Sequence, residues 1–359
     1  MTSRNGSVPG IVIGAALTFT ALPALAQGEL VVTSWGGSFQ DASREAIFRP
    51  FEEETGIRII EATGPSLARV RAMVESGNTE WDVVSLTPGD LLALAEMGYA
   101  EPLDYETFFP AGMLDNVVPE VIHPFGIGNF FYTKVIAFST EAFPDGTHPQ
   151  SWADVWDAEG FPGPRVIDAG DWVVPPAEYA LLADGVDPAE LYPLDLERAY
   201  ASLARIAPHV VKWANASAMP PQALVDGEAV IAPATLGRIR ALMDQGVPID
   251  FVWNGGLLNF DYWMIPKGAA NYENAMKFME FATRPEVQAR LVQIQPLGPV
   301  NIAAFDHIPA DVAAELPSAP DNLAQQVVLN AAWWAEVGED GITNIERNAQ
   351  MWAEFLARQ

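Results

Sequence analysis

The sequence predicts an α/β protein with two lobes, each built around a mostly parallel, doubly wound sheet. Short apolar runs alternate with amphipathic helical patterns over residues 29–98, an order that is typical of parallel sheets. A chain of 359 residues is also longer than one ordinary core supports. An apolar passage at residues 257–266 follows the second group of strands and helices, and it indicates a return to the first lobe.

Residues 1–26 predict a secretory signal peptide. They carry one charge, at Arg4, followed by an apolar stretch and by the small-x-small sequence Ala24-Leu25-Ala26. An N-terminal membrane anchor is the alternative, but the apolar run is short. No later stretch contains the roughly 18 apolar residues that a membrane span needs. We therefore expect an exported protein that is not embedded in the membrane.

Composition narrows the classes of function. The chain has 47 acidic residues against 19 Lys and Arg, a net charge of −28, and no cysteine. Such an acidic chain is a poor partner for nucleic acid or for an anionic membrane, although its field draws cations toward a cleft. An acidic, solubilising surface accounts for most of this charge. Without cysteine, thiol catalysis and cysteine-ligated metal sites are excluded.

The order of the elements in the first lobe suggests where ligands would bind. We expect strands at 29–33, 57–60 and 81–86, with helices at 38–54, 67–77 and 88–98. Ligands of doubly wound sheets sit beyond the carboxyl ends of the strands. The loops 34–38 and 85–87 both lie at that edge, and Ser38 is placed to cap the first helix.

The second lobe begins after a loop-rich passage at 99–131 and a crossing strand at 134–139. Its expected elements are helices at 151–158, 176–183, 195–206, 219–226 and 238–245, and strands at 165–168, 229–232 and 249–253. A turn at Gly255-Gly256 then leads back, before a helix broken at Pro285 and two C-terminal helices near 321–337 and 343–358. The predicted division is 27–131 and 257–303 for lobe one, and 132–256 and 304–359, with the C-terminal helices, for lobe two.

Familiar catalytic and metal-binding motifs are missing from the sequence. The four histidines are scattered, and there is no Gly-x-Ser-x-Gly elbow, no phosphate-binding loop and no calcium loop. We expect no cofactor and no metal. A secreted hydrolase remains an alternative because glycosidases need only two carboxylates. A signalling or adhesive module without a small ligand is a third possibility.

Candidate ligand contacts lie at the predicted strand ends of the first lobe. They are Ser34, Trp35, Gly37, Ser85, Thr87 and Asp261. Trp35 offers a flat face to an apolar stem or an ammonium group, and Gly37 lets backbone come close to a ligand. Asp261 stands between aromatic residues, where a carboxylate is costly unless it is paired. Its partner is either a ligand ammonium group or a group within the protein.

The second lobe offers a matching set of candidate ligand contacts, which are Asp171, Trp172, Thr235 and Arg238. Asp171 and Trp172 repeat the combination of an acid and an aromatic ring in a predicted loop. Arg238, at a helix start, can grip a ligand carboxylate or form a surface ion pair. Trp333 and Trp334 have helical spacing from neighbouring apolar residues, so we expect at least one of them to pack in the core.

An ordered series of short motifs spans nearly all of the chain after residue 26. They are Ser34-Trp35-Gly36-Gly37, Trp81-Asp82-Val83-Val84, Ser151-Trp152-Ala153-Asp154-Val155-Trp156-Asp157, Phe161-Pro162-Gly163-Pro164-Arg165, Asp261-Tyr262-Trp263-Met264-Ile265-Pro266-Lys267-Gly268 and Gly298-Pro299-Val300-Asn301. With this series the chain resembles the periplasmic solute-binding proteins of bacterial ABC importers. The spermidine/putrescine-binding branch is the most similar.

The resemblance implies a type II-like fold, in which two doubly wound sheets are joined by crossing hinge strands and ligand binds between them. It implies that Trp35 stacks on the ligand, that Ser85 hydrogen-bonds it and that Asp261 pairs with an amine. Three positions depart from the polyamine binders: Thr235 stands where they have a Trp, Leu297 where they have an aromatic, and their pair of acids is reduced to Asp171.

The function implied by the resemblance is capture of a small amine-bearing solute, similar to putrescine or another polyamine, for import. The alternative is a ligand with one ammonium group or a zwitterion, such as 4-aminobutyrate or an amino acid conjugate. The implied partner is an inner-membrane ABC permease. We expect a periplasmic protein that is a monomer and not an enzyme.

Overall fold

A computed structural model describes residues 1–2, 28–144, 146–169 and 176–359. The predicted signal peptide falls almost wholly outside the described residues, and so do Asp171 and Trp172.

Ten strands are found in the described part of the chain. They are β1 Glu29–Ser34, β2 Arg58–Thr63, β3 Val83–Leu86, β4 Ile122–His123, β5 Gly126–Ser139, β6 Arg165–Asp168, β7 Val210–Ala214, β8 Ile231–Thr235, β9 Ile249–Met264 and β10 Val327–Val328. The sequence predicts most of these strands, but it does not predict β4, β7 or β10, nor the full lengths of β5 and β9.

The helices mostly follow the expected order. They are α1 Gly37–Ser43, α2 Arg49–Thr55, α3 Leu67–Ser76, α4 Pro88–Glu96, α5 Tyr105–Phe108, α6 Trp152–Trp156, α7 Ala177–Ala183, α8 Leu196–Ile206, α9 Met219–Val225, α10 Leu236–Asp244, α11 Tyr272–Thr283, α12 Pro285–Ile294, α13 Ala310–Ala313, α14 Pro320–Leu323, α15 Ala331–Ala335 and α16 Asn344–Leu356. A π-helical turn, Arg44–Phe48, joins α1 to α2. Short 3-10 turns occur at Met113–Asn116, Pro119–Val121, Pro188–Glu190, Ala207–His209 and Ile302–His307.

Two helix predictions need correction. Gly36, with φ of 76°, is the N-cap of α1 and no side chain caps that helix, so the expected cap by Ser38 is wrong. The helix expected near 321–337 is two short helices, α14 and α15, separated by β10. The break at Pro285 is confirmed, because α12 begins there with proline at its first turn.

The sheet has one parallel group at each end and an antiparallel pair in the middle. Its order is β2-β1-β3-β9-β5-β8-β6-β7. The pairs β1–β2, β1–β3, β6–β7 and β6–β8 are parallel, whereas β9 pairs antiparallel with β3 and β5. We call β1–β3 and the helices packed on them the first half, and β6–β8 with their helices the second half. The strands β5 and β9 run through both halves, so the two doubly wound groups share one hydrogen-bonded ladder.

The glycine pair in β9 marks a bulge rather than the end of a strand. Lys134 of β5 pairs with Leu257, but Ile136 pairs with Val252, so the intervening residues of β9 loop out. Gly255 has φ of 74°, and a Cβ there would lie 2.7 Å from Trp152 Cδ1. The turn predicted at Gly255-Gly256 is therefore a local excursion within a longer strand.

Both faces of each half are covered by apolar cores. In the first half, one cluster contains Leu30, Phe51 and Phe278 and another contains Leu91 and Phe260. In the second half, the two clusters are built around Trp152, Tyr179 and Leu203, and around Val166, Ala232 and Ile239. Sheets covered on both sides are what doubly wound topology requires.

The C-terminal part of the chain divides its contacts between the halves. Ala304, Ile308 and Leu316 pack against Ala289 and Val292 of α12. Further on, β10 pairs with β9, and Trp334 is buried in the second half, which confirms that at least one residue of the tryptophan pair is core. The helix α15 also lies against α4 of the first half. The predicted lobe boundaries themselves stay a prediction.

Candidate functional site

Trp35 and Asp261 meet at the carboxyl end of β1. The indole Nε1–H of Trp35 donates a hydrogen bond of 2.5 Å to Asp261 Oδ2. Trp35 is 43% exposed, whereas Asp261 is 3% exposed. The carboxylate is therefore held in place by a ring whose face remains open to solvent. These residues are far apart in sequence, and the β3–β9 pairing brings them together.

Ser85 supports the same carboxylate from β3. It is fully buried, its Oγ accepts a hydrogen bond of 3.4 Å from Asn129 Nδ2, and it hydrogen-bonds Asp261. Ser34 is buried too, and its hydroxyl has no hydrogen-bond partner among the described residues. Gly37 has φ of 59°, and no atom lies within 4 Å of where its Cβ would be, which leaves open space beside Trp35.

The environment of Asp261 strongly disfavours its charged form. Burial raises the pKa of its carboxyl to about 7, and the negative charge of Asp90 adds to the rise. Hydrogen bonds from Trp35 and Ser85 act in the opposite direction and stabilise the carboxylate. A desolvated acid of this kind gains most from a cation brought into contact with it.

Thr87 and Asp90 complete this edge of the first half. Thr87 is the N-cap of α4, and its hydroxyl oxygen accepts a hydrogen bond of 3.3 Å from the Asp90 N–H. Burial raises the pKa of the Asp90 carboxyl, and a hydrogen bond from Thr87 lowers it. The sequence predicted Thr87 as a ligand contact and did not single out Asp90.

Aromatic side chains from β5 form a further wall that sequence reasoning missed. Phe130 pairs in register with Asp261, and Tyr132 pairs with Asn259. The Phe130 ring lies 4.7 Å from that of Phe39 and 6.1 Å from that of Tyr132. The Tyr132 pKa is raised by burial and by the charge of Asp261, so its phenol lies near the carboxylate. The alternation of Phe130 and Tyr132 on one strand face is the signal that could have found them.

The second half contributes less that can be described. Thr235 ends β8 and occupies the N-cap of α10, but its side chain makes no capping hydrogen bond. Arg238 lies in the first turn of α10, and its Nη2 donates to Ser217 Oγ at 3.1 Å. Leu297 packs between apolar clusters of the first half. Because Asp171 and Trp172 lie outside the described residues, their predicted contacts stay a prediction.

The model of the bacterial extracellular solute-binding protein family matches residues 46–320. The chain belongs to this family. A curated relative, the gamma-aminobutyric acid-binding protein of Pseudomonas aeruginosa, is 35% identical over 344 residues and covers 94% of each chain. The spermidine/putrescine-binding periplasmic protein of Escherichia coli K12 is 26% identical over 301 residues, covering 81% of this chain and 83% of its own.

Among solved structures, an ABC transporter substrate-binding protein from Bradyrhizobium japonicum USDA 110 is 35% identical. It matches with a TM-score of 0.84 over 91% of this chain and 99% of that chain. These findings confirm the predicted family and the α/β fold of a periplasmic binding protein. They also establish the chain as an ABC substrate-binding protein.

The comparisons bear differently on the two ligands considered from the sequence. The relative described as binding gamma-aminobutyric acid is more similar to this chain than the spermidine/putrescine-binding proteins are. The comparisons therefore favour a ligand with a single ammonium group over a polyamine.

The family consists of solute-binding proteins rather than enzymes. Among the described residues, no group of three or more His, Cys, Asp or Glu could hold a metal ion. No helix within the same residues is long and apolar enough to span a bilayer.

Proposed function

We propose that this solute-binding protein captures a small ω-amino acid of the 4-aminobutyrate type between its halves and delivers it to an inner-membrane ABC permease. The observation that carries the proposal is the buried Asp261 carboxylate, held by Trp35 beneath an exposed indole face. This pairing is suited to one ammonium group with a short apolar stem.

The ammonium end of the ligand would contact Asp261. A primary ammonium group donates to the carboxylate in a charge-assisted hydrogen bond, which is stronger than a neutral one. Trp35 and Tyr132 supply aromatic surface close by, and cation–π attraction adds to the pairing. Because Asp261 is 3% exposed, little water competes for its oxygens.

The carboxylate end of the ligand would be read by the second half. Arg238 carries a guanidinium group in the first turn of α10, where the helix start also favours an anion. Thr235 has a side chain without a capping role just before it. Asp171 and Trp172, which lie outside the described residues, are proposed as further ligand contacts of the second half. Contacts from both halves are what make ligand binding favour the closed state.

The charges of the two halves favour a ligand with one amine rather than two. A polyamine needs a second acid at its far end, but Arg238 would place a positive charge there. The relative that is 35% identical binds gamma-aminobutyric acid according to its name. These observations support a zwitterion over putrescine or spermidine, which stay the comparison ligands in any test.

Isothermal titration and thermal shift against a small panel test the proposal. The panel contains 4-aminobutyrate, 5-aminovalerate, butylamine, butyrate, putrescine and spermidine. At a ligand concentration 100 times Kd, the protein should gain about 2.7 kcal/mol of stability. We expect 4-aminobutyrate or 5-aminovalerate to bind much more tightly than butylamine or putrescine. Tightest binding by putrescine or spermidine would overturn the choice of ligand class.

The role of Arg238 is tested by Arg238→Gln, with Lys212→Gln as the control. Lys212 is a surface cation of the second half and pairs with Glu228, so its loss changes the net charge equally. Arg238→Gln should weaken 4-aminobutyrate and leave butylamine unchanged. If Lys212→Gln has the same effect, the change comes from overall charge and not from contact with the ligand carboxylate.

The same proposal includes the export of the chain and its assembly state. We propose that residues 1–26 are removed during export to the periplasm, that the halves correspond to lobes 27–131 with 257–303 and 132–256 with 304–359, and that the protein acts as a monomer. Mass spectrometry of the exported protein should find a chain that begins near Gln27. Light scattering should give the mass of a single chain.

A further inference from the structure

Asp90 lies at the same edge of the sheet as Asp261. In the β3–β9 ladder, Leu86 is paired with Tyr262, so the next residues on the two strands, Thr87 and Asp261, stand at the same level. The chain then turns into α4, and Asp90 is the third residue of that helix. The Asp90 N–H donates a hydrogen bond to the Thr87 hydroxyl, which fixes the position of Asp90 relative to Thr87.

Asp90 follows a glycine that has open space beside it. It is half-buried, and a Cβ on the preceding Gly89 would meet no atom within 4 Å. The space beside Gly89 leaves room for a small ligand group at the start of α4.

The Asp90 carboxylate is not needed to complete the cap of its own helix. In α16, Glu346 occupies the equivalent third position and accepts from the Thr343 N–H, which forms a full capping box. In α4 the cap consists of the Thr87 side chain accepting from the Asp90 N–H. Thr87 also hydrogen-bonds the Asp90 carboxyl, but among the described residues the charge of Asp90 has no ion-pair partner, and it acts on Asp261.

We propose that Asp90 is a second carboxylate of the ammonium site, so that the ligand nitrogen is held between Asp261 and Asp90. The inference rests on the proposed function, since it names a further contact for the same ligand group. A primary ammonium carries three N–H donors, and two carboxylates can accept two of them. The site then selects primary ammonium over quaternary ammonium, which has no N–H to donate.

The two acids also act on each other. Among the described residues, Tyr132 of β5 and Asp90 of α4 are the titratable groups that interact with Asp261, and Trp35 and Ser85 are its neutral hydrogen-bond partners. With a pKa of about 7, Asp261 is about half protonated at pH 7 in the empty protein. An arriving ammonium group lowers that pKa and expels the proton. Ligand affinity should therefore fall as the pH drops below about 7.

The variant Asp90→Asn tests the proposal, and Asp154→Asn is its matched control. Asp154 is also half-buried in the first turn of a helix and has its N–H capped, by Ser151 of α6, but it lies in the second half. Titrations with 4-aminobutyrate would be run from pH 5.5 to 8.5, in two buffers of different ionisation enthalpy so that released protons are counted.

We expect Asp90→Asn to weaken binding at pH 8.5 by at least about tenfold. The loss should shrink toward pH 5.5, because Asp90 raises the pKa of Asp261 in the wild type and acid therefore weakens binding by the wild type more than binding by the variant. Removing the charge of Asp90 should lower the pKa of Asp261 in the empty protein. The pH at which ligand affinity begins to fall should then be lower, and fewer protons should be released on binding at pH 7. The quaternary analogue 4-(trimethylammonio)butyrate, whose nitrogen has no N–H to donate, should bind weakly to both proteins. Asp154→Asn should match the wild type throughout.

Each other outcome overturns a defined part of this account. If the wild type binds 4-aminobutyrate and Asp90→Asn matches it at every pH, Asp90 is not a ligand contact. A loss that is equal at all pH values, with unchanged proton release, assigns Asp90 to the structure of α4 alone. If the wild type binds no ω-amino acid or amine, the proposed function fails first and the ammonium site with it.

Discussion

Replacing Asp261 with asparagine should stabilise the empty protein and lower its affinity for the ligand. The Asp261 carboxyl is buried and has a pKa of about 7, against an ordinary value of 3.8. Asparagine has nearly the same shape, and its oxygen can still accept from Trp35. The change therefore removes a costly charge and keeps most of the packing.

The size of the effect follows from the shift in pKa. A rise of roughly 3 pH units, at 1.36 kcal/mol per unit, corresponds to roughly 4 kcal/mol, which is an upper bound. Between about pH 4 and pH 7 the unfolded chain has lost this proton and the folded protein has kept it. The free energy of unfolding must then fall as the pH rises through this window, and it levels off above pH 7. Asp261→Asn has no carboxyl at this position, so its free energy of unfolding lacks this dependence on pH.

Urea unfolding of the empty proteins at pH 5 and pH 8 measures the effect. The wild type should lose more stability between these two pH values than Asp261→Asn does, and the difference isolates this one carboxyl. Titration with 4-aminobutyrate at pH 8 should show that the variant binds at least about a hundredfold more weakly, since a buried charge pair has lost one partner.

Two results would refute this reasoning. If both proteins show the same change in unfolding free energy between pH 5 and pH 8, the Asp261 carboxyl is not desolvated. If Asp261→Asn binds 4-aminobutyrate as tightly as the wild type, the carboxylate is structural and the ligand ammonium lies elsewhere.

Three further changes should have distinct outcomes. Trp35→Phe keeps an aromatic face but removes the indole donor to Asp261, so the pKa of Asp261 should rise further, and titration near pH 7 should show about tenfold weaker binding. Gly128→Ala would place a Cβ 2.5 Å from Val121 Cγ2, and urea unfolding should show a loss of about 1–3 kcal/mol; unchanged stability would mean that β5 can shift freely. Glu178→Ala would leave the Tyr192 hydroxyl and the Trp334 Nε1–H without their shared acceptor, at a cost of about 2–5 kcal/mol, whereas Glu178→Gln should cost much less in the same assay.

The importance of Asp261 could be predicted from the sequence because of its immediate neighbours. A carboxylate between aromatic residues of a strand has to be paired, whatever the rest of the fold. The identity of its partner in the protein could not be predicted. The Trp35–Asp261 hydrogen bond depends on β9 returning to pair with β3, and no local pattern specifies that contact.

Two residues near Asp261, Tyr132 and Asp90, were not predicted from the sequence, each for a physical reason. Tyr132 was overlooked because Gly126 and Gly128 made the start of β5 look like a loop, although each glycine there avoids a clash with a neighbouring side chain. Asp90 is an acid in the first turn of a helix, a position where acids are common for local reasons. Only the geometry beside Thr87 separates it from an ordinary surface acid.

The sheet order also determines how late in synthesis the first half of the sheet can be completed. The strand β3 has β1 on one side, but its other neighbour is β9, which arrives only after the whole second half of the sheet has been synthesised. A nascent chain thus carries an unpaired strand edge until residues up to Met264 are available. Such non-local pairing makes folding slow. For the export that we propose, such a delay keeps the chain unfolded while it crosses the membrane.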